Sequence, residues 1–140
     1  MRRWLAFVLV LLLSPPVMAQ APASPADQAA IRQVIGAQMA AFRRDDASAA
    51  FAFAAPEIQE KFRNAALFLE MVRVGYPAVY RPRSVEFADL VPNGDSLIQR
   101  VLLVGAEGRT EVAHYVMERQ ADGTWRIGGC YLTKSDDRST

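Results

Sequence analysis

The sequence predicts one domain of the α+β class, with helices first and a four-stranded antiparallel meander after them. Two patterns predict it. Apolar residues recur at helical spacing before Pro77 and alternate with period two after it. Short glycine-containing links separate the alternating segments, as is typical of neighbouring antiparallel strands. Because such a sheet must cover one apolar face, we expect a curved sheet that wraps around the long first helix as a cone with a partly open mouth.

The first helix is predicted to begin after Ser24, which can cap it, and to end near residues 43–44. Pro25 suits the first helical position, and Asp27 follows the cap by three residues. Spacings of three and four define one apolar face, which consists of Ile31, Val34, Ile35, Met39 and Phe42. Gln38 is the polar residue on that face.

Two or three shorter helices are predicted to follow. An alanine-rich helix reaches Ala55, a short helical turn starts at Pro56, and a third helix covers Ala65–Val74. Gly75 followed by Pro77 is a strong stop signal after the third helix.

The four strands are predicted at residues 83–91, 96–105, 109–120 and 124–134. Asn93-Gly94 and Asp122-Gly123 predict tight hairpin turns in which both residues take a positive φ. Gly128-Gly129 predicts a bulge or sharp bend in the last strand.

The amino terminus predicts export. Residues 1–19 combine two arginines, an apolar run over Trp4–Leu13, and Val17-Met18-Ala19 as a cleavage site, so they are predicted to be a signal peptide. The run is shorter than the roughly 20 residues that a membrane span needs, so no span is expected after cleavage. Residues 20–26 are then a flexible tether, 27–134 one domain and 135–140 a loose tail. The mature protein is expected to be periplasmic or secreted.

Composition excludes several classes of function. Removal of residues 1–19 leaves 14 basic against 15 acidic residues, which does not favour binding to nucleic acid. Cys130 is the only cysteine and His114 the only histidine, too few for a Cys/His zinc site. No metal and no cofactor is therefore expected. Cys130 lies in an apolar segment and is predicted to be a small buried hydrophobe.

Four stretches carry a resemblance to known proteins: residues 40–46, 71–77, 79–85 and 125–130. With the order of elements, they resemble the nuclear-transport-factor-2-like superfamily and, more closely, small exported bacterial proteins known as a domain of unknown function. The resemblance implies the cone fold and assigns no activity. The superfamily includes ketosteroid isomerases, with a tyrosine on the first helix, and scytalone-type dehydratases, with two histidines; this chain has neither feature.

Three single residues are candidates for a ligand site. Gln38 would either line the cone or satisfy a buried backbone group. Asp89 would be a carboxylate near the mouth if its face of the first strand points inward, or else simply an acid beside a turn. His114 alternates with Val112 and Val116, so it is either an inward group with a pKa near neutrality or a structural histidine.

The segment between the last helix and the sheet supplies the other candidates. Tyr76, Tyr80 and Arg83 are placed where the cone mouth is expected, and such side chains can hold an anionic or planar ligand. The alternative is a proline-stiffened connection whose tyrosines pack and whose arginines face water.

These observations predict a module that binds a small molecule or supports an assembly, with no catalytic residue. The alternative is an isomerase or dehydratase that uses His114 and Asp89. A homodimer through the sheet, without any ligand, is a further candidate. A cavity of about 300 Å³ or more with converging polar groups would favour the ligand, and a filled cone would favour the interaction module.

Overall fold

The computed structural model describes residues 23–135. The predicted signal peptide, the tether up to residue 22 and the tail from residue 136 onward lie outside the described residues. None of the helices within residues 23–135 is both long and apolar enough to cross a membrane.

The first helix, α1, spans Pro25–Arg43 as predicted. The Ser24 hydroxyl accepts a hydrogen bond of 3.1 Å from the Asp27 amide, which satisfies one free donor of the first turn. The predicted apolar face is the buried one, with Ile31, Ile35 and Phe42 inside the core.

Four shorter helices follow, one more than the upper expectation. They are α2 (Ala47–Ala52), α3 (Pro56–Phe62), α4 (Ala65–Gly75) and α5 (Pro77–Tyr80). The predicted stop after α4 is confirmed, but Pro77 also starts α5, because proline fits the first turn of a helix.

The sheet is the predicted open antiparallel meander in the order β1-β2-β3-β4. Its strands are β1 (Ser84–Asn93), β2 (Ser96–Val104), β3 (Thr110–Arg119) and β4 (Trp125–Lys134). The α+β class is thereby confirmed. At the outer edge of β4, the Ala55 amide donates to the Ile127 carbonyl at 2.8 Å, which attaches the link between α2 and α3 to the sheet.

The turn prediction needs one correction. Asn93 pairs with Ser96, so the loop residues are Gly94 and Asp95. Gly94 has φ +59°, whereas Asn93 and Asp122 are absent from the described non-glycine residues with positive φ. In this hairpin only the first loop residue, Gly94, has a positive φ, and glycine is the residue that takes such a φ most easily.

Two bulges shape the sheet. The predicted bulge in β4 is confirmed, because Val116 pairs with Gly129 and Met117 with Ile127, which leaves Gly128 as the extra residue. A second bulge, which was not predicted, interrupts β1 between Phe87 and Leu90.

Candidate functional site

A cavity of about 410 Å³ lies between the helices and the sheet. Its walls come from α1, the α2–α3 link, α3, α4, α5, β3 and β4, and most of them are apolar, with Phe42, Phe68, Val72 and Ile127 as examples. The volume exceeds the size that favours a ligand over a filled core.

Tyr115 places a buried hydroxyl group in the cavity wall. Its side chain is 1% exposed, and within residues 23–135 the only hydrogen-bonding neighbour of its buried hydroxyl is the thiol of Cys130, a weak partner. Burial raises the pKa of Tyr115 well above its ordinary value, so the phenol stays protonated at neutral pH. Buried hydroxyls normally have a strong hydrogen-bond partner, so the Tyr115 hydroxyl is a point of the wall at which a bound molecule could add one.

Cys130 lies opposite Tyr115 on β4 and also lines the cavity. Its burial raises the pKa of the thiol to about 12, which keeps it neutral. The expectation of an unreactive thiol agrees with that shift, although the side chain borders a cavity and is not sealed in the core.

Gln38 is the first of two predicted site residues that line the cavity. It is 3% exposed, and its Nε2 donates 3.1 Å to the Ala50 carbonyl in α2. Both interpretations of Gln38 therefore apply: it satisfies a backbone carbonyl and also borders the cavity. Tyr76 is the second, half-buried between α4 and α5.

Lys61 marks the mouth of the cavity. Among the described residues of its lining, Lys61 is the only exposed one and the only charged one. Its ammonium lies 5.8 Å from the centroid of the Phe62 ring, which lines the same opening.

His114 does not face the cavity, contrary to the inward orientation considered from the sequence. The core face of β3 consists of Ala113, Tyr115 and Met117, so His114 lies on the outer face of the sheet. There its ring stacks on Tyr131 with centroids 4.5 Å apart, and its Nε2 lies 2.9 Å from the Thr133 hydroxyl oxygen. Partial burial, then the charge of Arg100, lowers the pKa of His114.

Asp89 is likewise outside the cavity, because the β1 bulge changes the alternation before it. Its carboxylate is exposed and forms a 2.8 Å ion pair with Arg100. At the bulge, the Nε2 of Gln99 lies within hydrogen-bonding distance of the carbonyl oxygens of Ala88 (3.0 Å), Asp89 (3.3 Å) and Arg100 (2.9 Å). Gln99 is thus the buried amide that holds the bulge.

Tyr80 and Arg83 also lie outside the cavity. The Tyr80 hydroxyl donates to the carboxylate of Asp45, which also accepts a 3.1 Å bond from Arg81. Asp45 has φ +52°, so this network fastens a strained turn after α1 to α5. Arg83 is exposed beside the link from β2 to β3. For these two residues the structural interpretation fits the geometry.

A pair of carboxyl groups connects α3 to the sheet near the cavity. The Glu118 side chain in β3 occupies the space that a side chain at position 128 would fill, and Gly128 has none. Glu118 and Glu57 in α3 share a hydrogen bond. That hydrogen bond, and secondarily burial, raises the pKa of Glu118 to about 7, while the same bond lowers the pKa of Glu57.

We expect this pair to make stability depend on pH. Because its pKa is raised, Glu118 stays protonated to a higher pH in the folded state than in the unfolded chain. The stabilisation that this proton gives to the folded state is therefore complete below about pH 4.5 and is lost as the pH rises through about 7. After allowance for solvent screening, the loss should be about 1 kcal/mol. Glu118→Gln, which stays neutral, should remove this decline, and Glu60→Gln on the exposed side of α3 should keep it. Urea unfolding across this pH range measures it; an equal decline in Glu118→Gln would contradict the assignment.

Tyr115, Cys130 and Lys61 were not predicted as site residues. Tyr115 shares its face of β3 with Ala113 and Met117, but the other alternating set is equally apolar, so the sequence alone did not single it out. Nothing local singles out Lys61. Among residues 23–135 there is no cluster of three or more His, Cys, Asp or Glu residues that could hold a metal ion.

The family described as Domain of unknown function (DUF4864) matches residues 24–140. The chain belongs to this family. The resemblance to a domain of unknown function, predicted from four stretches of the sequence, is thereby confirmed. Among curated proteins, none matches this DUF4864 chain.

Two solved structures are similar to the DUF4864 chain. One is an NTF-2 like protein of unknown function from Burkholderia xenovorans LB400, with 16% identity over 81% of this chain and 88% of that one, and a TM-score of 0.49. The other is ActVI-ORFA from Streptomyces coelicolor, with 18% identity over 82% of this chain and 99% of that one, and a TM-score of 0.49.

Proposed function

We propose that this domain binds a small, mainly apolar molecule in the cavity and does not transform it. The observation that carries the proposal is the mostly apolar cavity of about 410 Å³, whose wall contains the buried Tyr115 hydroxyl beside the Cys130 thiol. A thiol is a weak hydrogen-bond partner, and an incompletely satisfied buried hydroxyl costs about 1 kcal/mol. A ligand that offers an acceptor or donor at this point would recover that free energy, and the apolar walls would bury the rest of it.

Binding without catalysis is supported by the chemistry of the lining. Within the described residues, the lining contains no carboxylate and no imidazole, the groups that most often transfer protons in enzymes. Tyr115 and Cys130 stay protonated near neutral pH, because burial raises the pKa of both. His114 and Asp89, which the enzyme alternative requires, lie on the outside of the sheet.

The test is the binding of a neutral apolar fluorescent probe, N-phenyl-1-naphthylamine, to the folded protein. We expect saturable binding by the parent chain and at least about tenfold weaker binding by Cys130→Phe, whose ring would occupy the cavity. Val112→Phe makes a similar enlargement on the outer face of β3 and serves as the control, with unchanged binding. No saturable binding, or equal binding by Cys130→Phe, would contradict the proposal.

We also propose that the protein works outside the cytoplasm, periplasmic or secreted, after removal of residues 1–19. The support is the order of charge, apolar run and small residues at the amino terminus. The mass of the intact extracytoplasmic protein should correspond to a chain that begins at Gln20, and a full-length chain would contradict the idea.

Self-assembly through the sheet is a second candidate, favoured by its outer face. Ile98 pairs with Val116 and Leu102 with Val112 on that face, and Tyr131 beside them is 47% exposed. Val112→Lys should then dissociate a dimer in sedimentation velocity, while a parent chain that sediments as a monomer would exclude this candidate.

A further inference from the structure

We infer that the ligand of this cavity is an apolar carboxylic acid, bound as its anion with the carboxylate at Lys61 and the apolar body inside. The inference rests on the proposed function and names the class of molecule. It follows from the position of Lys61, the charged residue among the described residues of the lining, and from the groups around it.

The first observation is the position of Lys61. Among the described residues that line the cavity, every other side chain is uncharged and at least half-buried, so the positive charge stands at the opening while the interior stays apolar. A charged ligand group placed inside would lose its hydration without a partner. At Lys61 it would keep contact with water and with an opposite charge.

The second observation is that, within residues 23–135, no carboxylate forms an ion pair with the Lys61 ammonium. The acid one helical turn before it, Glu57, is engaged with Glu118 through a hydrogen bond. The positive charge at the mouth is therefore open to an anion from outside.

The third observation is how the ammonium is placed. The Phe62 ring, 5.8 Å away, belongs to the same wall, so an apolar chain that enters along this ring brings its terminal group to Lys61. Tyr115 then provides a second polar point, deeper in the cavity.

Three probes of equal chain length and different charge test the inference: decanoate, decanol and decylamine, each displacing N-phenyl-1-naphthylamine. For the parent chain we expect decanoate to bind about fivefold more tightly than decanol, as a partly exposed ion pair allows, and decylamine to bind most weakly. The preference should weaken between about 0.05 and 0.5 M salt, because salt screens an exposed pair.

Lys61→Met should make decanoate and decanol bind equally, and Lys61→Glu should reverse the order of decanoate and decylamine. Lys134 is the matched control, since it lies at the end of β4 and does not line the cavity. Lys134→Met should keep the preference for decanoate.

If the probe binds but decanol binds as tightly as decanoate to the parent chain, or Lys61→Met keeps the preference for decanoate, the inference fails and the proposed function stands. If the probe does not bind at all, the proposed function fails, and this inference with it.

Discussion

Replacing Tyr115 by phenylalanine is expected to stabilise the free protein and to weaken its binding of ligands. The hydroxyl is buried beside the cavity with only the Cys130 thiol as a weak partner, so its removal should raise the free energy of unfolding by about 1 kcal/mol. A ligand that bonds to this hydroxyl should bind roughly fivefold more weakly to the variant, because a net hydrogen bond of about 1 kcal/mol is lost. Urea unfolding without ligand measures the first effect, and titration with N-phenyl-1-naphthylamine, whose amine can hydrogen-bond to a hydroxyl, measures the second.

Tyr131→Phe is the matched control for this prediction. It removes the same atom from a tyrosine that is 47% exposed on the outer face, so we expect a change within about 0.5 kcal/mol and no change in binding. A Tyr115→Phe variant that is clearly less stable than the parent chain would show that the hydroxyl is strongly bonded in the free protein. The support that this hydroxyl gives to a ligand would then be gone.

Replacing Gln99 by leucine is expected to cost the most stability of any polar substitution in the sheet. The Gln99 side chain is 1% exposed, and its Nε2 donates to the carbonyl oxygens of the β1 bulge. Leucine has a similar size but no donor, so buried carbonyl groups would lose their partner at about 1–3 kcal/mol each. We expect a total loss of about 2–4 kcal/mol in the free energy of unfolding.

Gln33→Leu provides the comparison, because Gln33 lies on the exposed side of α1 and should change stability by less than about 0.5 kcal/mol. Thermal unfolding of both variants measures the difference. A Gln99→Leu variant as stable as Gln33→Leu would contradict the role of the amide in the bulge.

The elements of the fold could be predicted because their signals are local. Ser24 and Pro25 mark the start of α1, and glycines at 94 and 123 mark two of the hairpins, so the bounds of α1 and of the four strands agree within two residues, whereas α2 ends at Ala52 and not at Ala55. Gly128 was likewise a local signal for the β4 bulge. In contrast, the β1 bulge could not be predicted, because Ala88 and Asp89 contain no glycine or proline that would mark a bulge. The glutamine that donates hydrogen bonds to this bulge, Gln99, lies in β2.

The candidate site was harder to predict because it depends on orientation. In β3, both alternating sets are largely apolar, so His114 and Tyr115 were each able to face the core. Only the packing against α1 and β4 decides between them. Lys61 reaches the same cavity from a different helix, and no spacing in the sequence connects it to Tyr115.

The β1 bulge also affects how the protein behaves at high concentration. As an outer strand, β1 presents backbone groups to which a strand of another molecule could add, a common route to aggregation. The bulge interrupts the regular spacing of those groups, and Pro92 has no amide hydrogen to donate. β1 is therefore a poor template for a fifth strand, and this edge of the sheet resists edge-to-edge association of folded molecules.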